Sequence, residues 1–256
     1  MRIPQEITEA IVAHLIYDLP SLRSCSLTCY SWYMATVHHL HLTLTVYSVK
    51  SWSRKRRWPN PILRMHTLGL LPFVETLLIS DFSPMFSSEI FSRRILRHFS
   101  ALANVQTLQI DGLDIPSFMP KLQRYFGPFL PTVRTLHLKS AKGSNRQIIF
   151  FVGLFQHLDD LSLVHRRFDR RDQEEDLTLV PSFVPPLQGQ LVVANWMRAG
   201  FFQEMIHLFG GIRFRSMNLL TVVETRLLLH ACAETLEVLR LHSDDPLGEQ
   251  PWSKYL

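Results

Sequence analysis

The stretches VQTLQI at residues 105–110 and VRTLHL at residues 133–138 follow one pattern. An apolar residue is followed by two variable positions, a second apolar residue, one variable position and a third apolar residue. Because side chains alternate along a strand, the last two apolar residues face one side of a sheet. The pattern occurs six times: Val74-Leu77-Ile79, Val105-Leu108-Ile110, Val133-Leu136-Leu138, Leu158-Leu161-Leu163, Phe214-Met217-Leu219 and Leu236-Leu239-Leu241. It predicts six short strands of one kind.

The spacing of these segments indicates a repeat. Leu77, Leu108, Leu136 and Leu161 stand 31, 28 and 25 residues apart, and periods between about 20 and 50 residues are typical of stacked repeat architectures. A degenerate copy at Leu191-Val193 and an alternating stretch over residues 40–46 add two candidate strands.

Apolar residues between the strands follow a helical period instead of a period of two. They form four stripes: Phe91, Ile95, Phe99 and Leu102; Phe118, Leu122 and Phe126; Ile148, Val152 and Phe155; Phe202, Ile206 and Phe209. Pro116 suits the first turn of its helix, and Asn145 suits an N-cap. A strand followed by a helix, repeated, predicts an α/β solenoid over residues 42–245. Its parallel strands line the concave side and its helices the convex side.

The positions beside the buried strand residues face outward and differ widely in chemistry. In repeat proteins such a face commonly binds a partner. The candidate target-binding residues are Gln109, Asp111, His137, Lys139, Arg240 and His242. The alternatives are a polar sheet face with no ligand and a target contact on the charged segment 169–176.

Residues 1–41 predict a separate module of three short helices. Ile7, Ile11 and Leu15 recur every four residues, which is one face of a helix. Pro4 suits the start of that helix, and Ser21 can cap the second. Three short helices form a core that is marginal alone, so such a module usually rests on a partner or on the rest of its chain.

The N-terminal module resembles an F-box of the kind found in basidiomycete fungi. IPQEI at residues 3–7 is similar to the opening Leu-Pro-x-Glu-Ile of that family, and LRSCSLTCYSW at residues 22–32 is similar to its Cys-Ser-Leu-Val-Cys-Arg-Ser-Trp segment. The positions that match the motif are Ile3, Pro4, Glu6, Ile7, Leu22, Leu27 and Trp32. The resemblance implies that these residues contact a Skp-type adaptor, which in turn binds a cullin.

The remainder resembles the irregular leucine-rich repeats that follow fungal F-boxes. Together the two resemblances imply a non-catalytic substrate adaptor of a ubiquitin ligase, whose repeats hold an unknown protein target. The alternative from another class is a repeat scaffold with no ubiquitin role, in which the N-terminal helices merely cap the core. An ordinary layered α/β arrangement remains a second possibility for the fold.

The chain departs from both families at identifiable positions. Ile3 replaces the leading leucine of the F-box, and Tyr30 replaces the basic residue before Ser-Trp. Leucine-rich repeats place Asn or Cys five residues after the middle leucine, where the side chain bonds the turn. Here these positions hold Phe82, Leu113, Ala141 and Arg166. We therefore expect an irregular solenoid and a weaker adaptor complex.

No catalytic motif is present in the sequence. The adjacent Gly210 and Gly211 follow a predicted helix instead of preceding one, so they do not form a phosphate loop. Cys25 and Cys29 stand one helical turn apart, and a buried helix face explains them better than zinc does. We expect a non-enzyme with no cofactor and no metal.

Composition favours an intracellular protein. Three cysteines cannot all pair, and the N-terminus lacks the apolar run of a signal peptide. The longest strongly apolar stretch, residues 148–155, is too short for a membrane span. A net charge of +5 permits an acidic partner without requiring nucleic acid. We expect cytoplasmic and/or nuclear localisation and no nucleic-acid or membrane partner. The basic run at residues 54–57 precedes Pro59 and Pro61, so we expect a solvated loop; the alternatives are a nuclear-import signal and a contact with an anionic surface. Residues 246–256 are predicted to be a tail.

Overall fold

The repeated apolar pattern forms the strands of a single parallel sheet. A computed structural model describes residues 3–40, 42–46, 61–80, 96–164, 187–194, 200–208, 211–220 and 225–242. The strands are β1 Thr43–Val46, β2 Thr76–Ile79, β3 Thr107–Asp111, β4 Thr135–Lys139, β5 Asp160–Val164, β6 Leu187–Ala194, β7 Ile212–Leu220 and β8 Val238–His242. Each strand pairs in parallel with the next one along the chain, in the order β1 to β8. The predicted α/β class and the two additional strands, β1 and β6, are confirmed.

Helices stand before the sheet and between its strands. Three precede it: α1 Gln5–His14, α2 Leu19–Ser26 and α3 Tyr30–Leu40. The others are α4 Pro61–Thr67, α5 Ile115–Phe126, α6 Asn145–Gly153, α7 Phe201–Leu208 and α8 Thr225–Ala231, with short 3-10 helices at Leu71–Phe73 and Leu96–Ala101. Parallel strands need such crossover connections.

The inward side chains of the strands stack in two rows across the sheet. Strand register aligns Leu44, Leu77, Leu108, Leu136, Leu161, Leu191, Met217 and Leu239 in one row. The second row is Val46, Ile79, Ile110, Leu138, Leu163, Val193, Leu219 and Leu241. From β1 to β7 both rows are buried in one core with the helical phenylalanines, and Phe126 packs 4.9 Å from Phe118 between ring centroids. This is the predicted orientation of the strands.

A backbone hydrogen bond recurs at the start of successive strands. The carbonyl oxygen of the residue before the strand accepts two N–H groups from the next strand's start. Leu42, Glu75, Gln106 and Arg134 provide this carbonyl in turn. For example, the Gln106 oxygen lies 2.8 Å from the Arg134 nitrogen and 3.0 Å from the Thr135 nitrogen. Because the bond uses only main-chain atoms, it persists while the side chains vary.

Backbone pairing also closes the turns that lack the usual Asn or Cys. Leu113 and Ala141 occupy those positions and are buried. The Lys142 nitrogen donates to the Leu113 oxygen at 2.7 Å, and the Ile115 nitrogen donates to the Lys142 oxygen at 3.1 Å. These main-chain bonds join the turn after β3 to the turn after β4. Phe82 and Arg166 lie outside the described residues.

Helix starts differ from the predictions in detail. Ser144, not Asn145, caps α6, because its side chain and that of Gln147 form a reciprocal capping box. Asp18, not Ser21, caps α2: the Ser21 nitrogen donates to its carboxylate. The stripe from Phe91 to Leu102 is a 3-10 helix over its described part. Residues 91, 95 and 209 lie outside the described residues, as do residues 54–57, 169–176 and the tail 246–256.

The three N-terminal helices enclose a small core of their own. It consists of Val12, Leu22 and Ala35, with Leu15, Trp32 and Leu40 packed against it. Residue Val37 of α3 belongs instead to the large core of the sheet, so α3 joins the two parts. The buried positions of α1 are Thr8 and Val12. Of the predicted face of Ile7, Ile11 and Leu15, the two isoleucines are exposed and Leu15 packs against the small core.

Candidate functional site

Helix α1 presents isoleucines to the surface. Ile3, Ile7 and Ile11 are 52%, 51% and 39% exposed. They recur every four residues, so the α-helical period places Ile7 and Ile11 on one side of α1. The buried positions of α1 are Thr8 and Val12, and Val12 belongs to the small core with Leu22 and Ala35, whereas the isoleucines are not part of it. The outcome is an apolar surface with no covering element among the described residues.

The chain before α1 fixes how this face begins. Pro4 occupies the N-cap position, with φ −56° and ψ 146°. Its carbonyl oxygen accepts the Thr8 nitrogen at 3.2 Å and the Thr8 hydroxyl at 3.3 Å. Because the proline ring restricts φ, Pro4 holds Ile3 in a defined position relative to the helix.

Helices α2 and α3 add further exposed apolar residues. Leu27, which caps the end of α2, is 86% exposed. Tyr30 and Met34, one turn apart on α3, are 76% and 44% exposed. We use the name N-terminal apolar residues for Ile3, Ile7, Ile11, Leu27, Tyr30 and Met34. Exposed apolar groups in this density usually mark a protein interface.

The seven positions that resemble the F-box motif fall into two groups. Ile3, Pro4, Glu6, Ile7 and Leu27 are exposed and free of the core. Leu22 is fully buried and Trp32 is half-buried against the small core, so these two hold the helices together. Sequence reasoning did not assign Ile11 and Met34 to the contact, since both lie outside the motif; their apolar character at helical spacing was the available signal.

The outward side of the sheet also carries its residues in rows. The middle row is Thr45, Leu78, Gln109, His137, Ser162, Val192, Asn218 and Arg240. Nearer the strand ends lies the end row: Asp111, Lys139, Val164, Ala194, Leu220 and His242. All six predicted target-binding residues lie in these two rows.

Burial along these rows is uneven. Gln109, Asp111, His137 and Lys139 are half-buried, whereas Arg240 and His242 are exposed. The outward positions Gln109, His137 and Ser162 were all predicted to be exposed, but the first two are half-buried and Ser162 is buried, with 8% of its surface accessible. Its register neighbours are His137 and Val192, and both are larger than serine. A small side chain between two larger ones lies below their level, which explains the error.

Charged and titratable residues of β4 and β5 interact across the two strands. Burial lowers the pKa of His137, and the negative charge of Asp160 opposes this shift. The imidazole is therefore neutral at physiological pH. At the start of the strands, the Arg134 Nη1 lies 3.1 Å from the Asp159 Oδ2. Both side chains of that pair are largely exposed, so it adds little to stability.

Metal-ligating residues and cysteines form the remaining group of candidates in the described part of the chain. No three or more His, Cys, Asp or Glu side chains there are arranged to hold a metal ion. Cys25 is half-buried and Cys29 is exposed, so the expected burial of both on one helix face is not found. Cys232 is buried, and burial raises the pKa of its thiol, which keeps the thiol protonated.

Two further findings concern the chain as a whole and not the site alone. Across the described ranges, no helix has the length and apolar character that crossing a membrane requires. Comparison with protein-family models, curated proteins and solved structures gives no match to this chain.

Proposed function

We propose that this chain is a substrate adaptor of a cullin-type ubiquitin ligase, with an F-box at residues 1–41 that binds a Skp-type adaptor. The observation that carries the proposal is the exposure of Ile3, Ile7 and Ile11 on α1. A helix that only capped the sheet would bury its apolar face against the sheet. Here α1 keeps Thr8 and Val12 for its own core and leaves the isoleucines accessible.

The same proposal includes a leucine-rich-repeat solenoid over residues 42–245. Its support is the sequential parallel order of eight strands and the carbonyl bond that recurs at four successive strand starts. A layered α/β sheet usually changes strand order at a switch point, whereas stacked repeats keep chain order. In this proposal the strands line the concave side, and the chain supplies proximity and orientation without reacting groups of its own.

The adaptor contact is tested by the double variant Ile3→Ala with Pro4→Ala. Burial of an isoleucine at an interface contributes about 1.5–3 kcal/mol, and Pro4 sets where Ile3 lies. We expect calorimetry with a purified Skp-type adaptor to show binding by the unmodified chain and loss of about tenfold or more in the variant. Tyr30 and Ile3 depart from the family, so the complex should be weaker than that of a consensus F-box.

A matched control separates the interface from general loss of apolar surface. Leu68→Ala with Pro72→Ala also removes one exposed apolar residue, here 49% exposed, and one exposed proline. These residues flank the start of the 3-10 helix at Leu71–Phe73, outside the F-box match. The control variant should bind the adaptor like the unmodified chain. If the unmodified chain does not bind at tens of micromolar, the ligase role is wrong, and the repeat scaffold is the remaining function.

A further inference from the structure

Positive groups stand on both sides of an uncharged section of the outward sheet face. On one side lies Lys139, in the end row on β4. On the other side lies Arg240, in the middle row on β8. The positions between them on β5, β6 and β7 carry no charge in either row: they are Val164, Ala194 and Leu220 in the end row and Ser162, Val192 and Asn218 in the middle row. The nearest carboxylate on β5, that of Asp160, lies at the strand start and accepts from the Thr135 hydroxyl.

The uncharged section contains two small, buried side chains that lie between larger ones. Ser162 and Ala194 are buried, with 8% and 6% of their surface accessible. Ala194 lies in register between Val164 and Leu220, which are both half-buried. A row of this kind gives apolar contact to a ligand side chain that enters above the alanine.

Asn218 adds a polar feature to the middle of the section. Its Oδ1 is buried and has no hydrogen-bond partner among the described residues. A buried acceptor without a partner is costly. A peptide N–H that reaches Asn218 would supply the missing donor. A main chain with regularly spaced N–H groups is therefore a better fit than a purely apolar ligand.

Strand spacing sets the length of a matching ligand. Neighbouring strands lie about 4.8 Å apart, so the four intervals from β4 to β8 span roughly 19 Å. An extended chain advances about 3.3 Å per residue, so about six residues cross this distance. Lys139 and Arg240 would then meet ligand residues that stand about six positions apart.

We propose that this section binds an extended peptide that crosses strands β4 to β8, with an acidic residue near each end of a short apolar segment. The inference names the class of target for the proposed function, but it requires only the sheet face and no contact with the adaptor. Lys139 and Arg240 bind the two acidic ends, and Val192 and Leu220 contact the apolar centre. Electrostatic complementarity at the ends fixes the register of the peptide, while the centre supplies apolar burial.

The test selects random peptides of about twelve residues, displayed on phage, on the immobilised full chain. Enriched peptides should carry Asp or Glu about five to seven positions apart around apolar residues. One enriched peptide is then measured by fluorescence anisotropy. Lys139→Glu with Arg240→Glu should weaken its binding about tenfold or more, since two attractions become repulsions. A peptide with lysines in place of its acids should restore binding to that variant.

The matched control is Arg64→Glu with Arg226→Glu, which changes the net charge equally at two exposed sites, on α4 and α8. It should leave peptide binding within about twofold. The proposal is overturned if no peptide is enriched, if enriched peptides lack the spaced acids, or if the control variant loses as much affinity. It is also overturned if a random DNA oligonucleotide competes as well as the peptide does. Peptide binding without adaptor binding would remove the ligase role and keep this site; the reverse would do the opposite.

Discussion

The sheet and the N-terminal helices treat similar apolar patterns in opposite ways. In the sheet, Leu108 and Leu136 are fully buried. In α1, Ile7 and Ile11 are also regularly spaced, yet they are 51% and 39% exposed. The difference lies in the number of neighbours: a central strand has a strand on each side and helices over its inward face, whereas α1 has two short helices. A periodic apolar stripe thus predicts which residues share a face, but not whether anything covers that face.

The last strand shows the same rule inside the sheet. Leu239 and Leu241 continue the two buried rows into β8, yet they are 40% and 60% exposed. Within the described residues β8 has a strand neighbour on one side, β7. Burial of an inward strand residue in this sheet therefore depends on the neighbouring strand as much as on the residue itself.

The largest effect is expected from Gly189→Ala in β6. Gly189 has φ +86°, and a Cβ built there lies 1.9 Å from the Asp159 carbonyl oxygen. The same oxygen accepts the Gln190 nitrogen at 2.9 Å, so a shift that relieves the overlap breaks a bond of the repeated ladder. We expect loss of more than about 4 kcal/mol of unfolding free energy, measured by urea denaturation.

Gly69→Ala is the matched control for that substitution. Gly69 has φ +68°, but a Cβ added at this glycine would meet no atom within 4 Å. The Gly69→Ala variant should lose only about 1–2 kcal/mol of unfolding free energy, which is the penalty of the left-handed conformation for a residue with a Cβ. Equal losses at the two sites would mean that the close approach in β6 does not limit stability.

Leu136→Ala and Leu22→Ala compare the two cores directly. Each residue is fully buried, and a large core deletion costs about 2–5 kcal/mol. Leu136→Ala should lower hydrogen-exchange protection in all described strands together, because the strands share one core. Leu22→Ala should accelerate exchange in α1 and α2 and leave the strands unchanged. Loss of strand protection in Leu22→Ala would show that the helices and sheet fold as one unit.

The strands were predictable because a period of two is a direct consequence of strand geometry. Even the weak copy in β6 was found this way, although its bulge at Gly189 left no signal in the apolar pattern. Cap residues were harder: Ser144 and Asn145 are both good caps, and only the capping box with Gln147 decides between them. Burial of outward residues depends on the neighbours in register, which is why the burial of Ser162 was missed.

Acid should destabilise the two parts in different pH ranges. In the sheet part, His98 has a lowered pKa because it is buried and because His66 and Arg97 add positive charge beside it. Its Nε2 accepts the Arg97 Nε at 3.2 Å, a bond that protonation removes. The unfolded state therefore takes up the proton first. The contribution of His98 to stability is fully present above about pH 6.5 and is lost as the pH drops below that value.

The helical part should respond only in stronger acid. Its cap carboxylate, Asp18, has a lowered pKa because the Ser21 side chain and backbone donate to it. Its contribution is present above about pH 4 and is lost below that value. Melts followed by hydrogen exchange at pH 7, 5.5 and 3.5 check this order. His98→Gln should reduce the loss between pH 7 and 5.5, and the remainder should come from His137, whose pKa burial also lowers. An unchanged profile would exclude His98 as a source.

The smallest effect is expected from Ser140→Gly, at a turn that follows β4. Ser140 has φ +55° and Gly112, in the equivalent turn after β3, has φ +77°. Both donate their N–H to the next strand at 2.8 Å, so both turns need this conformation whichever residue is present. Glycine removes a left-handed cost of about 1–2 kcal/mol but gains freedom when unfolded, worth about 0.5–1 kcal/mol. Urea melts should therefore show a net gain below about 1 kcal/mol, and Gly112→Ser should show a loss of similar size. A loss in Ser140→Gly would mean that the serine side chain itself holds the turn.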